Sequence, residues 1–235
     1  MTEPRLSVII PALNEAIGLP LLLGDLRRLE DQGLEILVVD GGSTDETIAR
    51  AEAGGATVLR TTPGRARQLS TGATAARGDW LLFLHADSRL GPVALERLAA
   101  ALDRPRPFAV AVFRFAIDLP GGWKGFIERG QAIREVLFGL PYGDQGLLIR
   151  RESYEATGGY PDLPIMEDVA LVRRLRRRHH IHRLRAPLLT SGRRYRERGV
   201  LRTWLEHTVL IFLYSVGVSP TQLAAWRNGP IVATR

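Results

Sequence analysis

The chain has no cysteine. That excludes a disulfide framework, a thiolate nucleophile and a cysteine-ligated metal, and it leaves the redox compartment unmarked, as fits the cytoplasm. Lysine is nearly absent as well: Lys124 is the one lysine among 32 basic residues, the rest being arginine. Long apolar runs are also missing. The longest late one, Val209–Leu213 continued through Tyr214 and Ser215 to Val218, is half the roughly twenty residues that a membrane span needs. Near the start, Leu6–Leu13 is interrupted by Pro11 and followed by Asn14 and Glu15, so no signal peptide is expected and the chain reads as mature and cytosolic. What is present is 235 residues, 45% hydrophobic and 24% charged, with 24 Gly and 14 Pro, which are the proportions of a soluble globular protein and not of a disordered or collagenous one. A chain of this length should bury about 70% of the surface it exposes when unfolded.

The net charge of +7 is unevenly placed. Residues 173–202 hold 12 Arg against one acid, Glu197, whereas residues 1–172 sum to −5. Codon bias explains a preference for arginine over lysine but not this clustering. The run Arg173–Arg178 extends a helical pattern (Val169, Leu171, Val172, Leu175) and reads either as a solvated face at a helix C-terminus or as part of a binding patch.

Short apolar runs alternate with helix-like segments through the first half, the signature of βαβ units around a parallel sheet. Strands are expected at Leu6–Pro11, Ile36–Asp40, Thr57–Arg60, Trp80–His85 and Ala109–Ala116, and helices at Ile17–Asp31, Thr44–Ala53, Arg65–Arg77 and Pro92–Leu102. The second helix carries a start signal, with Ser43 or Thr44 as N-cap and Asp45 and Glu46 in the first turn. The fold class expected is α/β, a Rossmann-like, mostly parallel sheet with helices on both faces.

Sheets of this kind bind ligands outside the carboxyl ends of their strands. Three such ends carry polar residues: Asn14-Glu15 after Pro11, Asp40-Gly-Gly-Ser43 and His85-Ala-Asp87. Each suits a turn taken singly; together they point to one site. Glu167-Asp168 falls in the first turn of a helix, where a carboxylate is also a stabilising N-terminal residue.

In order and spacing these segments resemble the family 2 glycosyltransferases, which have a GT-A fold. Ser7–Glu15 is similar to that family's opening strand and loop, Val38–Asp45 to its second, and Gly64–Asp79 to its third block. Phe83–Asp87 falls where its DxD motif belongs and Glu167-Asp168 where its acidic pair belongs, so the likeness covers roughly residues 6–178. The resemblance implies a GT-A catalytic domain over 1–190, with 1–105 as nucleotide-binding half and 106–190 as acceptor-side half, followed by a basic and apolar helical segment over 191–235. It further implies an inverting transfer of a single sugar from a nucleoside-diphosphate sugar, UDP-linked by slight preference, to an acceptor hydroxyl. Pro11, Asn14, Glu15, Asp40, Ser43, Arg67 and Gln68 would meet the nucleotide, with Asp40 accepting from a uracil imide. Asp87 would hold Mg2+ or Mn2+ on the diphosphate, Asp168 would be the general base, and Glu167, Tyr142, Asp144 and Gln145 would face the acceptor.

Two departures from the family pattern stand out. His85 replaces the first acid of DxD; it is read either as a ligand for a borderline cation such as Mn2+ or as a hydrogen-bonded structural histidine. Only Arg194-Tyr195 loosely resembles the Arg-aromatic pair of the processive members, which argues for single transfers. Arg193 or Arg194 would fold over the diphosphate. Arg196, Arg198 and Arg202, leading into Trp204, Leu205, Val209, Leu210, Phe212, Leu213 and Val216, read as a basic, aromatic and apolar helix. Such a helix lies on the inner face of the cell membrane, suiting a lipid or membrane-associated acceptor, or packs on the domain or on a second subunit in a homodimer. Two other functions fit parts of the sequence: a nucleotidyltransferase of GT-A-like fold, and a nucleic-acid-binding module using the arginines. The first wants a glycine-rich, lysine-bearing opening loop that Pro11–Gly18 is not, and acidic strand ends repel a phosphate chain, so nucleic acid is not expected as a partner.

Overall fold

The computed structural model describes residues 4–103, 108–138 and 143–228. One eight-stranded sheet runs in the order β3-β2-β1-β4-β7-β6-β8-β5. Its first half is β1 (Leu6–Ala12), β2 (Leu34–Asp40), β3 (Thr57–Arg60) and β4 (Trp80–Phe83), all paired in parallel. The crossovers are α1 (Leu19–Leu26), α2 (Thr47–Ala53) and α3 (Arg65–Ala75).

The apolar runs are continuous because the strands are covered on both sides. On one face Leu6, Val8 and Ile10 pack with Leu19, Leu22 and Leu26 of α1 and with Leu98 of α4 (Pro92–Asp103). On the other, Ile9, Leu37 and Val39 pack with Leu69 of α3 and with Leu171 and Leu175 of α7 (Glu167–Arg176). The expected helix Ile17–Asp31 is shorter: α1 ends at Leu26 and a 3-10 turn, Arg27–Gln32, runs to Gly33, whose φ of 66° reverses the chain into β2.

The second helix begins at Thr47, so neither Ser43 nor Thr44 is its N-cap and Asp45 and Glu46 precede it. Asp45 performs the capping, its Oδ1 accepting the Thr47 N–H at 3.0 Å. Ser43 and Thr44 are drawn away because both bond to Asn14.

The second half inserts antiparallel pairs and makes the sheet mixed. β7 (Leu147–Arg150) pairs antiparallel with both β4 and β6 (Val110–Asp118), and β5 (Ser88–Leu90) pairs antiparallel with β8 (Ile181–Ser191). α5 (Gly122–Phe138) and α6 (Arg151–Ala156) complete this half. After β8 come α8 (Arg193–Arg198), α9 (Val200–Ser215) and α10 (Pro220–Asn228). The single basic and apolar helix expected here is broken by Gly199, at φ 88°. Ile211 of α9 packs on Val169 and Val172 of α7, and Trp204 packs on the cluster of Phe115, Ile127 and Tyr195. No helix among the described residues is long and apolar enough to cross a membrane.

Candidate active site

The strand order reverses between β1 and β4, since the chain leaves β1 toward β2 and returns on its other side. A crevice opens at such a point. It holds a cavity of about 710 Å³ lined by Pro11 of β1, Leu13 and Glu15 after it, His85 and Asp87 after β4, Arg65 and Gln68 of α3, Asp144, Glu167 and Asp168, and Arg193 and Arg194 of α8.

Three residues expected at the nucleotide instead build the rim, and none lines the cavity. Asp40 is buried, and its carboxylate accepts the Gly42 N–H at 2.9 Å and the Ser43 N–H at 3.1 Å, closing its own turn. The Asn14 N–H donates to Ser43 Oγ at 2.9 Å while Asn14 Oδ1 accepts the Thr44 N–H at 2.9 Å. These bonds latch the loop after β1 to the loop after β2 and hold Asn14 at φ 55°. Asparagine tolerates that left-handed backbone better than most residues.

On α3 the roles expected of the side chains shift. Gln68 lines the cavity, but its Nε2 donates to the carbonyls of Ala12 and Val39, both at 2.8 Å, and so ties together the ends of β1 and β2. Arg67 points away; it is exposed, bonds Thr62 Oγ1 at 2.7 Å and sits 3.6 Å from Asp162. Arg65 is the arginine that faces inward, because at 100° per residue it shares a face with Gln68 and Arg67 does not. Its Nε lies 3.3 Å from the buried Glu167.

Arg65 also reaches His85. The guanidinium is a pure donor, so its contact from Nη2 to His85 Nε2 makes that nitrogen the acceptor of a neutral imidazole, and the remaining N–H is directed to the Gly143 carbonyl. Burial, with Arg65 and Arg194 nearby, holds the His85 pKa well below its ordinary value. Both ring nitrogens thus face protein groups in this structure.

A cation nevertheless fits beside it. Glu15 Oε1 takes Arg193 at 2.7 Å, but its Oε2 is buried with no hydrogen-bond partner. Burial raises the pKa of Glu15 despite Arg193, and the Asp87 carboxylate adds to the rise; Asp87 is itself raised by burial. Two desolvated carboxylates facing one crevice are suited to a hard cation that brings phosphate oxygens and water as its other ligands. No group of three or more metal-ligating side chains occurs among the described residues, so the protein would supply only part of the shell.

The opposite wall carries the acidic pair. Met166 precedes α7 at φ 65°, one of two non-glycine residues with positive φ among those described, and directs Glu167 and Asp168 inward at the helix N-terminus. A backbone held there costs about 1–3 kcal/mol and persists where surrounding contacts fix it. Asp168 Oδ2 accepts the Gly143 N–H at 2.8 Å and Oδ1 the Val169 N–H at 2.8 Å. A Cβ at Gly143 would lie 2.7 Å from Asp168 Oδ2 and 2.8 Å from Arg65 Nη2, so any larger residue there has to push these side-chain ends aside. Burial raises the pKa of Glu167, with Arg65 opposing. Of the expected acceptor residues, Asp144 lines the cavity, Gln145 is buried and donates to Glu135 at 2.9 Å, and Tyr142 lies outside the described residues.

Comparison with known proteins agrees with this geometry. The family profile of glycosyl transferase family 2 matches residues 7–159. A PGL/p-HBAD biosynthesis glycosyltransferase of Mycobacterium tuberculosis is 37% identical over 115 residues, 46% of this chain and 45% of that protein. An uncharacterized glycosyltransferase of Haemophilus influenzae is 30% identical over 102 residues, 42% of this chain and 35% of the relative. The matches thus span less than half of these relatives. Glucosyl-3-phosphoglycerate synthase from M. tuberculosis, crystallised with Mn2+ and UDP-glucose, superposes with a TM-score of 0.67 over 92% of this chain and 80% of its own, at 23% identity. That likeness establishes a GT-A-like fold.

Proposed function

The chain belongs to glycosyl transferase family 2, and on that premise we propose that it transfers a single sugar from a nucleoside-diphosphate sugar to an acceptor hydroxyl, inverting the anomeric centre. The observation that carries the proposal is the division of one cavity: Glu15 and Asp87 at the strand ends on one side, Asp168 on the other, with Arg193 and Arg194 lining the same space. A UDP-linked donor is favoured, since the similarly folded synthase holds UDP-glucose with Mn2+.

In this reading Asp87 and the Glu15 oxygen that has no hydrogen-bond partner would hold Mg2+ or Mn2+. Once bound, the cation would neutralise charge on the departing diphosphate. Arg193 presents its guanidinium fork to the same phosphates. Asp168 takes the proton of the acceptor hydroxyl while the oxygen bonds to the anomeric carbon, and the bond to the diphosphate oxygen breaks with its electron pair leaving on the nucleotide. Two backbone N–H groups fix the Asp168 carboxylate for that transfer, and each oxygen keeps a second lone pair. Incubation with UDP-sugars and a hydroxyl acceptor library, read by UDP release and by the anomeric coupling of the product, tests the proposal. Absence of UDP release with every donor, or product of retained configuration, contradicts it.

We also propose that α8, α9 and α10 form an acceptor-side element resting on an anionic membrane surface. On α9 and at its C-terminal cap, Leu201, Leu205, Val209, Phe212 and Val216 are exposed and recur every three or four residues, while Thr203, Leu210 and Ile211 face inward. The exposed Arg202 lies at one end of that stripe. Sedimentation with phosphatidylglycerol vesicles but not phosphatidylcholine vesicles, lost in Phe212→Asp, is the expected result. A concentration-dependent dimer that ignores vesicles would assign the stripe to a second copy.

A further inference from the structure

Of the five described arginines that line the cavity, two pair with carboxylates that line it too. Arg65 faces Glu167 and Arg193 faces Glu15. Three on the C-terminal wall differ. The side chains of Arg194 and Arg198 make no hydrogen bond or ion pair among the described residues, and Arg227 of α10 has Glu206 at a distant 3.7 Å. All three line the cavity, together with His207, whereas Glu206 does not. Burial first, then the charges of Arg227 and Arg198, lower the pKa of Arg194, with Asp87 opposing. Arg227 also acts on Glu167, so the cluster extends from the diphosphate end toward the base.

Position separates this cluster from the donor. Arg193 pairs with Glu15 and acts on Asp87, whereas Arg227 acts on Glu167. Among the described residues Arg198 makes no ion pair and Arg227 meets only Glu206, at 3.7 Å, with Glu197 the carboxylate that lines the same wall. A wall of converging like charges is unfavourable unless a ligand offsets it, and a phosphomonoester, with about 1.5 to 2 negative charges and three acceptor oxygens, fits three guanidinium forks. Resting on the glycosyltransfer reading, we propose that the acceptor carries a phosphomonoester that Arg194, Arg198 and Arg227 grip as a handle. Its reacting hydroxyl, elsewhere on the same molecule, is thereby brought to Asp168.

The phosphate could belong to a soluble metabolite or to a lipid headgroup beside the apolar stripe of α9. Calorimetric titration of the protein loaded with UDP and Mn2+ separates them, with glycerol 3-phosphate in one arm and phosphatidic acid vesicles, against phosphatidylcholine vesicles, in the other. One arm should bind, and Arg198→Gln/Arg227→Gln should weaken that binding at least tenfold while leaving UDP affinity within about twofold. Arg177→Gln, an exposed arginine off the cavity, should change neither. Failure of both arms, or equal binding by the double variant, overturns the proposal. Should UDP itself not bind, the donor reading fails, and the same titrations on unloaded wild type and double variant still judge the arginine site.

Discussion

The cavity has two unlike walls. The strand-end wall is backed by acids and amides that hold loops: Asp40 closes its turn and Asn14 latches to Ser43 and Thr44 without lining the cavity, while Gln68, which does line it, joins two strand ends. The C-terminal wall is built from arginines, several of which face no carboxylate. The first is held by mutual hydrogen bonds, so its few free carboxylate oxygens, on Glu15 and Asp87, stand out as binding groups. The second is held by helix packing and leaves its charges available to a ligand. Charge that looked like one basic patch divides in the same way. Arg173 bonds Ser215, Arg174 bonds the Gly159 carbonyl, Arg183 pairs with Glu135 and Arg196 with Asp118, all of which fasten elements together.

The sharpest test of this contrast is Asp168→Asn, which keeps shape and removes the base. Transfer should fall about 10²- to 10⁴-fold with UDP affinity unchanged; steady-state kinetics beside a UDP titration reads both. Gly143→Ala comes next. The added Cβ displaces the Asp168 carboxylate, and an ångström of misplacement costs about 10²-fold, so kcat should drop with donor binding preserved. A variant with unaltered kcat would dissolve the argument for close approach.

Effects on stability are smaller. Gln68→Leu removes the bonds to the Ala12 and Val39 carbonyls, of which Ala12 keeps the Gly41 N–H, and should cost about 0.5–1.5 kcal/mol for each bond lost, measurable by denaturant unfolding. Weakest is the acid limb set by Glu35. Burial alone would raise its pKa, but the Ser7 hydroxyl, the Arg77 backbone N–H and the Arg77 guanidinium outweigh it and hold the value below 4.5. A depressed carboxylate pKa contributes stability above the unfolded value that is lost as pH falls through the folded one. Glu35→Gln should therefore unfold less steeply than wild type below about pH 4.5, seen as a shallower Tm-versus-pH curve.

The sheet's first half was legible because parallel strands covered on both faces must be apolar throughout, and Thr57–Arg60 falls where periodicity places it. The antiparallel insertion of β7 was not, since four residues with glycine before them carry little periodic signal. At the site, positions were more legible than roles. Motif spacing brought Pro11, Glu15, Asp87, Glu167, Asp168 and Arg194 to one cavity. It could not tell Arg65 from Arg67, although helical phase relative to Gln68 holds that answer. Nor could it show that His85 faces Arg65 and Gly143, because those partners lie 20 and 58 residues away in sequence.

The central claim is that the strand-end wall binds donor while the α7 carboxylate does chemistry. Calorimetric titration of UDP with and without Mn2+ into wild type, Asp87→Asn and Asp168→Asn tests it most directly. The account predicts Mn2+-dependent binding in wild type and Asp168→Asn and its loss in Asp87→Asn. Binding that is independent of Mn2+, or equal in all three proteins, would contradict it.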